Sequence, residues 1–196
     1  MAPNSGPRRS ERSRQAILAA TRELIAEVGY GKLSVEGIAA RAGVGKQTIY
    51  RWWPSKGAVV FDSLLAPSQD GAGDIELPDT GDIEADLKSV LRATVAEFAD
   101  DDFQAPIRAL HTEIMNDPQL ATAYRERMDA PVRAAKLRRL RSAQRAGQLA
   151  ENADLDLLLD MLYAPLTQRW LLRTGSLDAA FADALVDATL RAFAPA

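Results

Sequence analysis

Residues 34–56 read SVEGIAARAGVGKQTIYRWWPSK. Ser34 suits the cap of a helix, because its hydroxyl can accept from a free amide one turn on. Val35, Ile38, Ala39 and Ala42 then share one helical face. Gly43 supplies the left-handed residue that ends such a helix, and Val44 can pack back beneath the turn. A second helix opens near Gly45 or Lys46 and must stop by Trp53, because Pro54 disfavours helical geometry in the residue before it. Ile49 is its inward anchor, with Trp53 one turn later on the same side. Lys46, Gln47, Thr48, Tyr50, Arg51 and Trp52 are left facing outward, a row of hydrogen-bond donors and amphipathic aromatics that suits a helix laid against DNA. The pattern predicts a helix-turn-helix.

The match is closer than the generic motif. Ile38–Ala39, the run Ala42–Gly43–Val44, the triplet Thr48–Ile49–Tyr50 and the ending Trp53–Pro54–Ser55–Lys56 stand at fixed spacing. In that order they resemble the DNA-binding signature of the tetracycline-repressor-like (TetR-type) family of bacterial regulators. With the preceding helix the likeness spans residues 12–66. Beyond it the likeness lies in length, in an all-helical pattern, and in residues 155–193, which look like one C-terminal subgroup with Tyr163 and Pro165 inside the penultimate helix. Two residues depart from the usual pattern. Gly37 is a poor residue for the middle of a helix, and Trp52 stands where the family often has histidine.

Charge agrees once its distribution is considered. The chain of 196 residues carries 24 Lys and Arg against 27 Asp and Glu, a formal charge of −3 that alone speaks against nucleic acid. Residues 1–60, however, hold ten basic against four acidic residues, and the remainder fourteen against twenty-three. A basic head on an acidic body is an electrostatic footprint confined to one end. The absence of cysteine excludes disulfides and thiolate metal sites, and one histidine gives no basis for a transition-metal site. Residues 1–14 lack the apolar segment of a signal peptide, and later apolar runs are broken by charge well short of a membrane span. A cytoplasmic protein with no cofactor is expected.

The rest of the chain reads as helix after helix, so the expected fold is all-α. Residues 1–9 read as a flexible basic arm. Residues 10–66 read as the DNA-binding domain with its connecting helix, Ser10 capping a helix to about Val28 and Ser55 capping the one after the motif. Residues 67–81, PSQDGAGDIELPDTG, read as a mobile loop. Residues 82–196 read as a body of helices near 82–98, 103–116, 118–128, 131–147, 154–174 and 178–193. Within it, Arg133, Lys136, Arg138, Arg139, Arg141 and Arg145 read as a solvated, salt-bridging face rather than as a second nucleic-acid surface.

The resemblance implies roles for particular residues. Ser34, Lys46, Gln47, Thr48, Tyr50, Arg51, Trp52 and Lys56 form the candidate DNA contacts. Tyr50 and Lys56 match positions that grip phosphate, Thr48 one that touches backbone or a base, and the Trp52 indole can donate to phosphate. Lys46, Gln47 and Arg51 are the base-reading candidates, since Gln pairs with adenine and Arg or Lys with guanine through two hydrogen bonds. Each can equally be a solvated surface residue. Arg8, Arg9, Arg12 and Arg14 either reach a minor groove or remain solvated.

The family's body usually encloses a small effector. Phe98, Phe103, His111, Met115, Tyr124, Tyr163, Gln168 and Trp170 are the candidate lining for an apolar or amphipathic ligand, with ordinary core or rim positions as the alternative. The helix 154–174 is apolar nearly all round and needs cover on every side, either as a central core helix of its own domain or with that domain on one side and a second copy on the other. In the family the last two helices form a four-helix bundle across a two-fold axis, so Leu158, Leu162, Leu166, Leu185 and Leu190 are the candidate homodimer contacts. The expected partners are a second copy, a near-palindromic double-stranded operator and a small effector, with no membrane. No nucleophile–base pair or phosphate-cradling glycine loop is present, so an enzyme is not expected; the pair Glu113 and Asp117 shares a helical face as surface acids often do. The expectation is a DNA-binding transcriptional regulator, a repressor released by its effector. A DNA-organising protein on the same fold is the alternative.

Overall fold

The computed structural model describes residues 6–69 and 76–195, with side chains described for 10–66, 76–100 and 104–195. Among these residues the regular structure is helical: α1 Gly6–Val28, a 3-10 turn Tyr30–Lys32, α2 Val35–Ala42, α3 Lys46–Tyr50, α4 Lys56–Gln69, α5 Ile83–Ala99, α6 Asp101–Ile114, α7 Pro118–Tyr124, a π turn Arg125–Asp129, α8 Ala130–Arg145, α9 Leu155–Leu172 and α10 Ala179–Ala192.

The chain divides into two compact units. The first holds residues up to Gly73 together with Ala105–Arg125, and the second holds Asp74–Gln104 and Glu126–Ala196. Residues 105–125 therefore group with the head, although the sequence division places them in the body. Gly57 is the physical reason: a Cβ there would sit 2.8 Å from a Leu120 methyl and 3.2 Å from the Glu113 Cβ. A side chain at this position would push the Leu120 methyl aside and crowd Glu113, so glycine suits the close approach of α6 and α7 to the first turn of α4.

In the first unit α1 begins at Gly6, upstream of the expected Ser10 cap. Pro7 is compatible with a first helical turn, where its missing N–H costs nothing. Residues 6–9 of the expected arm are thus helical; residues 1–5, and the side chains of Arg8 and Arg9, lie outside the described residues. Ile17 and Leu18 of α1, Val35, Ile38 and Ala39 of α2, Ile49 of α3, Trp53, and Val59 and Val60 of α4 close one apolar core.

The second unit is built around α9. Ile83, Leu87, Leu91 and Val95 of α5, Leu140 and Ala143 of α8, Leu158, Leu159, Leu162 and Leu166 of α9, and Ala182 and Val186 of α10 form its core. The expected break between residues 128 and 131 is absent. A π turn lies just before α8 instead, widening the helix where the Pro131 ring would crowd the carbonyl of Arg127.

The expected mobile loop is also different in part. Residues 67–69 continue α4, residues 70–75 lie outside the described residues, and 76–82 are pinned. The Thr80 amide and hydroxyl donate to Asp86, the Arg139 Nε donates to the Pro78 carbonyl, and Gln148 bridges the Gly81 carbonyl to the Ile83 amide. Arg139 in turn donates to Asp86 from Nε at 3.0 Å and Nη2 at 2.7 Å, both residues being buried. One member of the expected solvated basic face is therefore a buried ion pair. Arg133 does behave as expected, pairing at the surface with Asp156 and Asp160.

Candidate nucleic-acid interface

Short-range contacts set the geometry of the helix-turn-helix. The Ser34 hydroxyl accepts from the Gly37 amide at 3.1 Å, capping α2. Gly37 lies in the first turn of α2, not its middle, and a Cβ there would stand 3.2 Å from the capping oxygen. Gly43 takes φ 66°, ψ 35°, and the Val44 and Gly43 amides return to the carbonyls of Ala39 and Ala40. This satisfies the end of α2 and aims the chain into α3. Helical hydrogen bonding continues past α3, with the Trp52 and Trp53 amides both donating to the Ile49 carbonyl at 2.9 Å.

Beneath the turn, Trp53 is buried and its indole N–H donates to Asp62 at 2.9 Å. Arg14 reaches the same carboxylate at 3.4 Å, so it serves the scaffold from α1. Above the turn the expected contact row is open. Lys46, Gln47, Tyr50, Arg51 and Trp52 are exposed, Tyr50 by 49% and Trp52 by 39%, and Thr48 is half-buried. The Arg51 guanidinium lies 6.0 Å from the Trp52 ring. With Ile49 and Trp53 turned inward, α3 and the turn that follows it present amide, guanidinium, hydroxyl and indole donors to anything laid across them.

Two basic candidates are not simply solvated. The Lys46 ammonium pairs with the Glu36 carboxylate on α2, which holds that carboxyl below its ordinary value. The Lys56 ammonium stands 4.0 Å from the centre of the Tyr30 ring. Burial of Tyr30, reinforced by the facing Glu113 carboxylate, pushes its phenol well above the usual range. Asp117 caps α7 by accepting from the Gln119 and Leu120 amides, and the Ser55 hydroxyl donates to it at 3.2 Å. Glu113 and Asp117 are thus committed to joining α6 and α7 to the start of α4. Glu36, Tyr30 and Asp62 carry no local signature in the sequence. Their partners stand at Lys46, at Lys56 and Glu113, and at Trp53 and Arg14.

The candidate effector residues fall in separate places. In the second unit Phe98 stacks on the buried Trp170 with centroids 4.4 Å apart, Tyr163 is half-buried and Gln168 is exposed. In the first unit His111 meets Tyr124 edge-on at 5.6 Å, and Tyr124 in turn meets Phe61. Burial lowers the His111 pKa. Met115 is 79% exposed, standing in solvent. The Phe103 side chain lies outside the described residues.

Of the candidate dimer contacts, Leu158, Leu162 and Leu166 are fully buried within their own unit, while Leu185 and Leu190 are half-buried. The apolar residues left outward on α9 are Leu157, Met161, Ala164 and Leu172, and on α10 Ala179, Ala180, Ala184, Ala188 and Ala192. No helix among the described residues is long and apolar enough to cross a membrane. No group of His, Cys, Asp and Glu among them forms a metal site.

Comparison with known proteins agrees with the geometry. Residues 17–62 match the family described as bacterial regulatory proteins, tetR family, and residues 77–189 match the tetracyclin repressor-like C-terminal domain. The chain is 36% identical over 176 residues to the uncharacterized HTH-type transcriptional regulator YdeS of Bacillus subtilis, covering 89% of this chain and 86% of that one. It is 32% identical to the DNA-binding transcriptional repressor TetR of Mycobacteroides abscessus, covering 93% and 94% respectively. Among solved structures, the TetR family transcription regulator SCO0332 superposes with a TM-score of 0.73 at 35% identity, over 94% of this chain and all of the other.

Proposed function

The chain belongs to the tetR family of bacterial regulatory proteins and is a DNA-binding transcriptional regulator, and from that premise we propose that it is a cytoplasmic, homodimeric repressor that leaves its operator when a small molecule enters the body. The open donor row on α3, fixed over the Ile49–Trp53–Asp62 scaffold, is the observation that carries the reading. Gln47 and Arg51 read base edges in the major groove, while Tyr50, Trp52, Lys56 and the capped start of α2 hold phosphates. Two such heads related by a two-fold axis read a near-palindrome.

The second copy docks on the outward apolar stripe of α9 and α10, where the alanines at 164, 184 and 188 allow close helix approach. The half-buried aromatic groups of the second unit favour an apolar or amphipathic effector. Such a ligand changes DNA affinity only through unequal binding to the two states, and DNA must weaken the ligand by the same factor.

Chromatin precipitation tests the reading, with purified protein then titrated onto the recovered sites. A few promoter sites sharing a near-palindrome, with affinity falling steeply as salt rises, are expected. Occupancy scattered over many unrelated sites would favour a DNA-organising role. Met161→Asp should give folded monomers in sedimentation; an unchanged dimer would place the interface elsewhere.

A further inference from the structure

Three cations occupy successive turns of α8, at Arg133, Lys136 and Arg139. The outer two are matched, Arg133 by Asp156 and Asp160 and Arg139 by Asp86 and Asp79. The middle one is not. Among the described residues no carboxylate or carbonyl accepts from Lys136; its ammonium rests 3.3 Å from the centre of the Tyr163 ring on α9. Both side chains are half-buried.

A fold gains little from this arrangement. Desolvating an ammonium is costly, an aromatic face offsets only part of that cost, and an apolar side chain of similar length would serve packing better. The groups that bear on Lys136 leave the charge poorly compensated: Asp129 attracts through space, Arg133 repels, and Asp156 and Asp160 are taken by Arg133. Burial is the dominant influence and brings its pKa down to about 8. The Tyr163 phenol, raised by its own burial, stays protonated throughout the neutral and mildly alkaline range. A half-buried cation on an aromatic surface, with no carboxylate among the described residues accepting from it, is the arrangement a ligand anion completes.

We propose that Lys136, seated on the Tyr163 ring, is the anchor of an effector subsite for small organic acids, receiving the carboxylate as the missing counter-charge. This deepens the reading of the body as an effector domain and rests on it. A bound carboxylate stabilises the protonated amine, so binding weakens as pH rises past the free amine's own value. It should be roughly tenfold weaker at pH 9 than at pH 7.

The test uses the full-length protein with benzoate and phenylacetate as probes, and their uncharged amides as controls. At saturation the acids should raise the wild-type melting temperature by about 3 °C at pH 7, and the amides should not. Lys136→Met should fold and melt at least as high as wild type without responding to the acids; Lys136→Arg should retain a response. Independently, acylation mapped by peptide mass should mark Lys136 before Lys46 and Lys88, which are held by carboxylates, and benzoate should protect it. Equal shifts from acids and amides, an unchanged shift in Lys136→Met, or no shift together with no protection would overturn the proposal. A neutral compound that releases operator equally from wild type and Lys136→Met would leave effector control standing and remove this subsite. A Lys136-dependent melting shift with no effect on operator binding would keep the subsite and remove effector control.

Discussion

The head and the body are held by contacts of different reach. In the helix-turn-helix the contacts that set the geometry span few residues: Ser34 to Gly37, Trp53 to Asp62, Lys46 to Glu36. In the second unit Asp86 meets Arg139, Ile83 meets Gln148 and Arg92 meets Asp183, across 53, 65 and 91 positions of chain. A short-range motif can be transplanted with its sequence, because the residues that shape it travel together. A long-range core is only as good as its most distant pair, and closing each such loop costs chain entropy before any contact forms. Damage to the body should therefore unfold it, whereas damage to the recognition surface should change binding and leave folding alone.

The largest effect tests the body. Leu162→Glu puts a carboxylate into the α9 core at a fully buried position and should cost more than about 4 kcal/mol. The expected outcome is lost helical signal on mild urea addition, not a folded monomer. A folded monomer would return Leu162 to the interface and break the contrast between a sealed core and an outward stripe.

Next comes the buried pair. Arg139→Ala should cost on the order of 3 kcal/mol by leaving Asp86 uncompensated, and Asp86→Leu combined with Arg139→Met should recover most of it. The pair also sets a pH dependence. Burial alone would raise the Asp86 carboxyl, but hydrogen bonds from Arg139 and Thr80 outweigh it and hold it below its ordinary value. Because the folded carboxyl ionises below its unfolded counterpart, this contribution is complete above the unfolded value of about 4 and is lost as pH falls through the folded one. Urea midpoints measured from pH 6 to pH 3 should fall less steeply in the double variant than in wild type; parallel curves would exclude Asp86 as a source of acid sensitivity.

At the recognition surface the effects are smaller and differ in kind. Gln47→Ala and Arg51→Ala should each cost about 1–3 kcal/mol on the operator through lost base contacts, with little change on random duplex and none in melting. Equal losses on both DNAs would make these residues phosphate contacts.

The same difference in reach explains what the sequence reveals. Cap, turn glycine, inward Ile49 and Trp53, and outward donors could all be placed, because periodicity and spacing act over one or two turns. The burial side of α9 could not: a helix apolar nearly all round gives no signal separating Leu158 and Leu162, which face the core, from Leu157 and Met161, which are 51% and 38% exposed. Residues 76–82 look like a loop by composition, and nothing local shows that Asp86, Arg139 and Gln148 fasten them. The Ser10 cap is not used because the helix starts earlier, at Gly6, with Pro7 in its first turn.

The smallest predicted effect lies where head and charge meet. Glu36 is exposed beside the first residue of α3, and its pair with Lys46 sits in water, where such pairs add little to stability. Glu36→Gln should leave the melting temperature unchanged. On DNA the loss of a negative charge from the approaching face, together with a freed Lys46, should tighten binding to operator and random duplex alike, more at low salt than at high. Fluorescence anisotropy against both duplexes across a salt series distinguishes two roles for the carboxylate. Tighter binding on both means that Glu36 screens Lys46 and restrains indiscriminate attachment. Weaker binding on the operator alone means instead that Glu36 aims Lys46 at a base, and the pair would then join the short-range contacts, ten positions apart in sequence, that set recognition in the head.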